Sequence, residues 1–194
     1  MPRLSQRTRD ARRHQILAAA RRCFTSNGFQ ATSMQDIFAE AGLSAGAVYS
    51  HFTGKNQIIT AIAEEVAEKV ASAADAALAF PEGKPPALGE VLERTFTTLQ
   101  EADIAPIAVI VWGEAIRDPA LGERLSGLYH DLTDRFTRLV RACQAGGTVE
   151  PGIPAGDAAQ VLTALGPAFI HQLALGAGTD AQAFTRGLRT LLRS

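Results

Sequence analysis

Hydrophobic positions recur every three to four residues along almost the whole chain, and no stretch shows the strict alternation of a half-buried strand. The pattern predicts an all-α protein. A first helix is expected over about residues 9–27, with Ile16, Ala19, Ala20, Cys23 and Phe24 as its apolar stripe and the arginines largely on other faces. Gly28 follows, suited to the left-handed conformation that ends a helix. A short second helix opens at Thr32, which with Gln35 three residues on reads as a T-x-x-Q capping box; Met34, Ile37, Phe38 and Ala41 form its inward face. Gly42 stops that helix, Leu43 fills the corner, and Ser44 is the expected N-cap of a two-turn third helix over about 45–52, anchored by Val48 and Phe52. A long fourth helix begins at Gly54-Lys55 and runs to about 79, with Ile58, Ile59, Ile62, Val66 and Val70 along one side.

Residues 80–86, rich in proline and glycine, form the clearest linker. Beyond it, apolar periodicity predicts helices over about 87–102, 107–116, 119–144, 156–176 and 179–192, giving about nine in all. The expected organisation is a three-helix head over 1–54 and a helical body over 55–194.

Composition narrows the function class. Hydrophobic residues make up 46% and charged residues 20%, which excludes a disordered chain. No apolar run approaches the roughly 18 residues that a membrane span requires, and the opening segment lacks the apolar core of a signal peptide. The chain is accordingly expected in the cytoplasm, without a membrane partner. Cys23 and Cys143 sit inside apolar helical patterns away from any Cys/His cluster and read as buried hydrophobes, so neither a metal site nor a cofactor is expected. The motifs of nucleophilic, metal-dependent and nucleotide-binding enzymes are absent; Glu114 and Asp118 read as a helix end before Pro119, not as paired catalytic carboxylates.

The net charge of −1 conceals a division of sign. Through Lys55 the formal charge is +5 and over the remainder −6, a basic head on an acidic body. That division suits a polyanion-binding module joined to a part that does not touch the polyanion. Two helices joined by the tight Ala41-Gly42-Leu43-Ser44 turn, the second short and small-faced at Ala45, Gly46 and Ala47, fit a helix-turn-helix whose backbone can approach the floor of a DNA major groove.

The run from Thr32 to Ile59, TSMQDIFAEAGLSAGAVYSHFTGKNQII, resembles the signature of the TetR (tetracycline-repressor-like) family of bacterial regulators. The likeness covers roughly residues 16–59: a Thr-opened helix, an acidic-Ile-x-x-x-Ala-Gly-Leu-Ser turn, a Gly-x-Val-Tyr-x-His-Phe helix and a Lys opening the next helix. The resemblance implies a DNA-binding regulator, by the family's default sign a repressor. The DNA-contact set it implies is Thr32, Ser33, Ser44, Ala45, Gly46, Ala47, Tyr49, Ser50, His51 and Lys55. Within it Thr32 and Lys55 are the expected phosphate contacts, and Tyr49 and His51 the phosphate- and base-contacting positions. Packing on the long helix is the other reading of Tyr49, and an exposed spacer that of His51. Arg3, Arg7, Arg9, Arg12 and Arg13 are either a basic arm toward DNA or a solvated face. Ala45 and Ala47 stand where relatives often carry longer side chains, which shifts the expected readout toward thymine methyls, Tyr49, Ser50 and DNA shape.

For the body the resemblance implies a homodimer on a palindromic operator and a small hydrophobic or aromatic effector that releases it. The alternative is a body that only dimerises. Expected effector contacts are Ile62, Val66, Phe96, Trp112, Ile116, Phe136, Phe169 and Gln172, with Tyr129, His171 and Glu114 as further aromatic or polar markers. The expected dimer stripe is Leu162, Leu165, Phe169, Phe184, Leu188 and Leu191, on the last two helices, whose faces also carry Ala158, Ala159, Ala164, Gly166, Ala168 and Ala174.

Overall fold

The computed structural model describes residues 6–79 and 87–191, apart from the side chains of Ala73, Ala77 and Leu78. Arg3, the 80–86 linker and the end of the expected last helix at Leu192 lie outside the described residues. Nine α-helices and no strand occur among the described residues: α1 Gln6–Asn27, α2 Met34–Ala41, α3 Ala45–Tyr49, α4 Lys55–Leu78, α5 Leu88–Glu101, α6 Ala105–Ala115, α7 Pro119–Ala145, α8 Ala155–Ala174 and α9 Ala181–Leu191. No described helix is long and apolar enough to cross a membrane.

The head is built on α1, which buries Ile16, Leu17, Ala19, Ala20, Cys23 and Phe24. Gly28 ends it with a φ of 80°. The start of α2 differs from the T-x-x-Q expectation. Ser33 is the N-cap: its hydroxyl accepts from the Asp36 N–H at 3.2 Å, while the Asp36 carboxylate accepts from the Ser33 N–H at 2.7 Å. Thr32 is displaced from that role because its side chain is buried, with the hydroxyl donating to the Gly28 carbonyl at 2.8 Å. Both Thr32 and Ser33 satisfy the composition of a cap, and only burial separates them. At the other end of α2, Gly42 adopts φ 63° and ψ 33°, the left-handed conformation that lets the chain turn at once toward α3. Helix α3 is shorter than its pattern suggests and ends at Tyr49, so Phe52, though buried, follows the helix instead of closing it.

In the body α4 packs against α5, α6 and α7, with α8 against α5, α6 and α7 and α9 against α5. Helix α7 opens with the Asp118 side chain accepting from the N–H groups of Ala120 and Leu121, with Pro119 in the first turn, where its missing N–H costs nothing. Helix α7 packs chiefly on α8, α4 lies against α5 and α7, and α5 lies against α9. Phe96, Phe169 and Phe184 stack with ring centroids 4.8 to 5.2 Å apart and so staple α5, α8 and α9 together. The cysteines lie buried as expected, and burial raises the pKa of both thiols.

Head and body share one core. Buried side chains continue from Ile16 and Phe24 through Ile58 and Ile62 to Phe96 and Phe169. Helix α1 packs on both α4 and α6. Arg21 of α1 forms an ion pair with Glu65 of α4, with Arg13 and His14 of α1 at 3.7 and 3.8 Å from the same carboxylate.

Candidate nucleic-acid interface and effector cavity

Helix α3 presents a nearly bare backbone. Ser44 caps it by accepting from the Ala47 N–H at 3.3 Å, and Ser50 closes it by donating to the Ala47 carbonyl at 2.7 Å. Val48 points into the core and is fully buried, so the opposite face, with Ser44, Ala45, Gly46, Tyr49 and Ser50, is exposed, and Ala47 and His51 are half-buried beside it. Tyr49 is 51% exposed and meets Phe38 of α2 edge-on, ring centroids 5.3 Å apart. It packs on α2 within the helix-turn-helix pair, with about half of its surface left open. Gln15 of α1 fastens the end of α2 by donating to the Ala41 carbonyl at 2.8 Å, and Arg22 pairs with Glu40 at 2.5 Å.

His51 is held below the usual imidazole pKa, first by desolvation and then by the charges of Arg9, Arg13 and Arg12. The arginines near the start of α1 therefore gather on the side of the head where α3 ends. Arg13 also lies over the Phe52 ring, 5.5 Å from its centroid. The structure thus brings the first turns of α1 next to the expected recognition surface, a juxtaposition that spacing along the chain does not reveal.

Two expected phosphate contacts are turned inward. The hydroxyl of Thr32 bonds the carbonyls of Cys23 and Gly28, and its N–H bonds the Gly28 carbonyl as well. The Lys55 ammonium donates to the carbonyls of Phe29, Gln30 and Thr32 at 2.8, 3.0 and 3.0 Å, and sits 4.7 Å from the Phe29 ring centroid. An ammonium has three N–H bonds, and here all three are spent on the loop between α1 and α2. Lys55 builds the head; it does not extend from it.

The body holds an enclosed apolar cavity of about 50 Å³ between α4, α5, α6, α7 and α8. Val66, Phe96, Trp112 and Phe136 line it as expected, joined by Tyr129 and Leu162. Four expected residues lie elsewhere. Ile62 is buried in the core toward the head, and Phe169 is buried in the phenylalanine cluster. Ile116 follows α6 and is 89% exposed. Gln172 faces solvent, accepting from the Thr179 hydroxyl at 2.6 Å. Of the polar markers, His171 is exposed, and Glu114 accepts from the Gln30 side chain at 2.9 Å.

The expected dimer stripe is divided between the core and the surface. Leu162 lines the cavity, Phe169 and Phe184 belong to the aromatic cluster, and Leu165 and Leu188 pack partly buried against the core. Only Leu191 is exposed among the six. The large apolar residues of α8 and α9 largely fill their own body, and Val161, Ala164 and Ala168 on α8, Leu175 just after it and Leu191 on α9 are left exposed. Ala164, Ala168 and Leu191 belong to the faces expected from the sequence, and Val161 and Leu175 join them.

A capped helix-turn-helix presenting a small-faced second helix, set on an all-α body, defines a DNA-binding regulator. Residues 16–62 match the bacterial regulatory proteins of the tetR family, and residues 86–193 match the C-terminal domain of BetI-type transcriptional repressors. The chain belongs to the TetR family of transcriptional regulators, with a BetI-type C-terminal domain. It is 25% identical to the transcriptional regulator UidR of Escherichia coli over 186 residues, covering 93% of this chain and 90% of that one. The repressor Rv1474c of Mycobacterium tuberculosis is 38% identical over 74 residues, only 38% of this chain and 40% of that one. Among solved structures, the SmeT–triclosan complex superimposes with a TM-score of 0.69 at 25% identity, covering 88% of this chain and 84% of that one. The family is one of regulators and not of enzymes.

Proposed function

We propose that this regulator represses transcription as a two-fold dimer on a palindromic operator, and that a small apolar molecule in the body releases it. In this reading the head, 1–54, reads DNA and the body, 55–194, dimerises and senses. The observation that carries the DNA part is the exposed face of α3, where Ser44, Ala45, Gly46, Tyr49 and Ser50 stand on a helix whose other side is locked into the core by Val48. Ser33, Ala47 and His51 flank that face, and the arginines of α1 extend it. In this reading Thr32 and Lys55, whose donors are internally bonded, hold the head together and do not serve as DNA contacts.

The dimer part rests on the stripe of Val161, Ala164, Ala168, Leu175 and Leu191. Val161, Leu175 and Leu191 are 63%, 70% and 73% exposed, and small alanines between them allow helices of a second copy to approach closely. The effector part rests on the cavity, and a triclosan complex of a similar fold supports a small aromatic ligand. Footprinting upstream of the protein's own gene and of neighbouring genes tests the reading. A protected inverted repeat is the expected result. Ala168→Arg should yield a monomer in sedimentation and lose the footprint. An unprotected promoter region, or a monomer that still protects both half-sites, overturns it.

A further inference from the structure

The cavity has an outer neighbour. Between α6 and α7 an open crevice of about 580 Å³ runs to the surface, with Ser126, His130, Thr133, Asp134 and Gln160 along its polar walls. Trp112, Leu125 and Tyr129 belong to the walls of both spaces, so the partition between them is one layer of side chains. Trp112 and Tyr129 are each half-buried, with one side toward the apolar space and the other toward the crevice. On the opposite flank a second crevice shares only Leu92 with the cavity. Leu92 is fully buried, and Arg189 is tied across that side by bonds to the Gly89 carbonyl at 3.1 Å and Glu93 at 2.7 Å.

The chemistry of the cavity is equally definite. None of its lining residues is charged. Of its hydroxyls, Thr95 donates to the Val91 carbonyl and Thr163 to the Ala159 carbonyl. Tyr129 supplies the third hydroxyl of the lining; the neighbouring Trp112 indole can only donate, so it does not take up the Tyr129 O–H. A charged guest would stand desolvated with no counter-charge, a cost that buried ions meet only through pairing. An apolar hole of about 150 Å³ takes up benzene, so the present 50 Å³ must widen as an aromatic guest enters. The half-buried pair can yield without breaking the core.

We propose that Trp112 and Tyr129 form a door between the α6–α7 crevice and the buried cavity, admitting uncharged apolar molecules that carry one acceptor oxygen for the Tyr129 hydroxyl. The proposal rests on the effector reading above for its biological use, but its test does not. Trp112 is the single tryptophan of the chain, so its fluorescence reports on the door itself.

Four probes share one body: biphenyl, 4-phenylphenol, biphenyl-4-carboxylate and trimethyl(biphenyl-4-yl)ammonium. Stopped-flow fluorescence and calorimetry on the full chain should show 4-phenylphenol binding a few-fold tighter than biphenyl, and both charged probes about a hundredfold weaker. Tyr129→Phe should erase the advantage of 4-phenylphenol over biphenyl. Ser126→Phe lies outside the cavity on an exposed position, where the new ring narrows the crevice. It should slow association and dissociation alike by about tenfold while leaving Kd nearly unchanged, with the same melting midpoint. Rates unaltered in Ser126→Phe overturn the door; a charged probe binding as tightly as 4-phenylphenol overturns the ligand class. Binding of 4-phenylphenol without operator release defeats the effector reading and leaves the door standing. Failure of all four probes to bind defeats both.

Discussion

The side-chain amide of Gln30 donates to the carboxylate of Glu114 at 2.9 Å, joining the corner of the head to the last turn of α6. Trp112, two residues earlier on the same helix, lines the cavity. Helix α6 therefore reaches both the guest space and the DNA-reading head, in parallel with α4. A ligand shifts a two-state equilibrium only through contacts that differ between the states. Gln30→Ala should leave 4-phenylphenol affinity unchanged and cut the ratio of operator Kd with and without that probe by about threefold to tenfold. An unchanged ratio in fluorescence anisotropy would show that α6 does not transmit.

Lys55 offers a separation of structural and DNA-binding roles. Losing three charge-assisted bonds at a half-buried site should cost about 2–4 kcal/mol, so Lys55→Met is expected to melt markedly earlier. The slope of log K against log salt for operator binding, measured well below that melting point, should stay as in wild type. A phosphate contact would instead reduce that slope by about one.

Ser33 and Thr32 make a matched pair. Ser33→Ala removes an N-cap and should cost about 1 kcal/mol. Thr32→Val keeps the shape and the backbone bond to Gly28, but the carbonyls of Cys23 and Gly28 lose the hydroxyl donor, an expected cost of about 1–2 kcal/mol. Urea denaturation of both variants checks the assignment: a negligible effect at Thr32 with a large one at Gln35 would restore the T-x-x-Q cap.

Much of this architecture was legible because it is written in local rules. Helix periodicity, the Gly42 corner and the Pro119 start each depend on residues within one turn of each other, and the fold reproduces them. What periodicity could not resolve was which of two plausible partners an apolar residue meets. Phe169 and Phe184 fit equally well against a second copy or against Phe96, and the second outcome is the one the fold adopts. Lys55 is similar: a lysine at a helix start suggests an anion, and the three carbonyls that receive it are more than twenty residues away in sequence. Ile116 shows the same limit: it follows the last residue of α6 and lines the outer crevice, not the cavity.

His51 predicts a pH dependence. Its folded-state pKa lies below the usual 6.5 because desolvation and the charges of Arg9, Arg13 and Arg12 oppose protonation. A depressed histidine favours the neutral form, so stability is lost as pH falls below 6.5, when the unfolded chain binds the proton more readily. Phosphates near this surface would offset the arginine charges and favour the imidazolium. Operator binding should then take up a proton and tighten as pH falls toward 6. Calorimetry in buffers of different ionisation enthalpy measures the uptake, and His51→Gln should abolish it. Equal apparent enthalpy in every buffer would remove His51 from the interface.

Tyr49 separates contact from packing. Tyr49→Phe retains the edge-on meeting with Phe38, and Tyr49→Ala loses it. The alanine variant should cost about 1 kcal/mol of stability. Both variants should weaken operator binding, the phenylalanine variant with no change in melting. Operator affinity falling only in step with stability would return Tyr49 to a purely structural part.

The three bonds of Lys55 leave no slack at the joint between lever and load. Lys55 is the first residue of α4 and grips the loop from which α2 starts, so a tilt of α4 cannot be absorbed where the two meet. Val66, on the cavity wall, stands eleven residues further along, about 16 Å at the rise of an α-helix. A sideways push of ~1 Å there turns the helix by roughly 4° about its first residue. The head must follow as a solid piece, its internal angles unchanged. In the proposed dimer on a palindrome such a device would behave as a caliper, in which a guest alters the span between two jaws without altering either jaw.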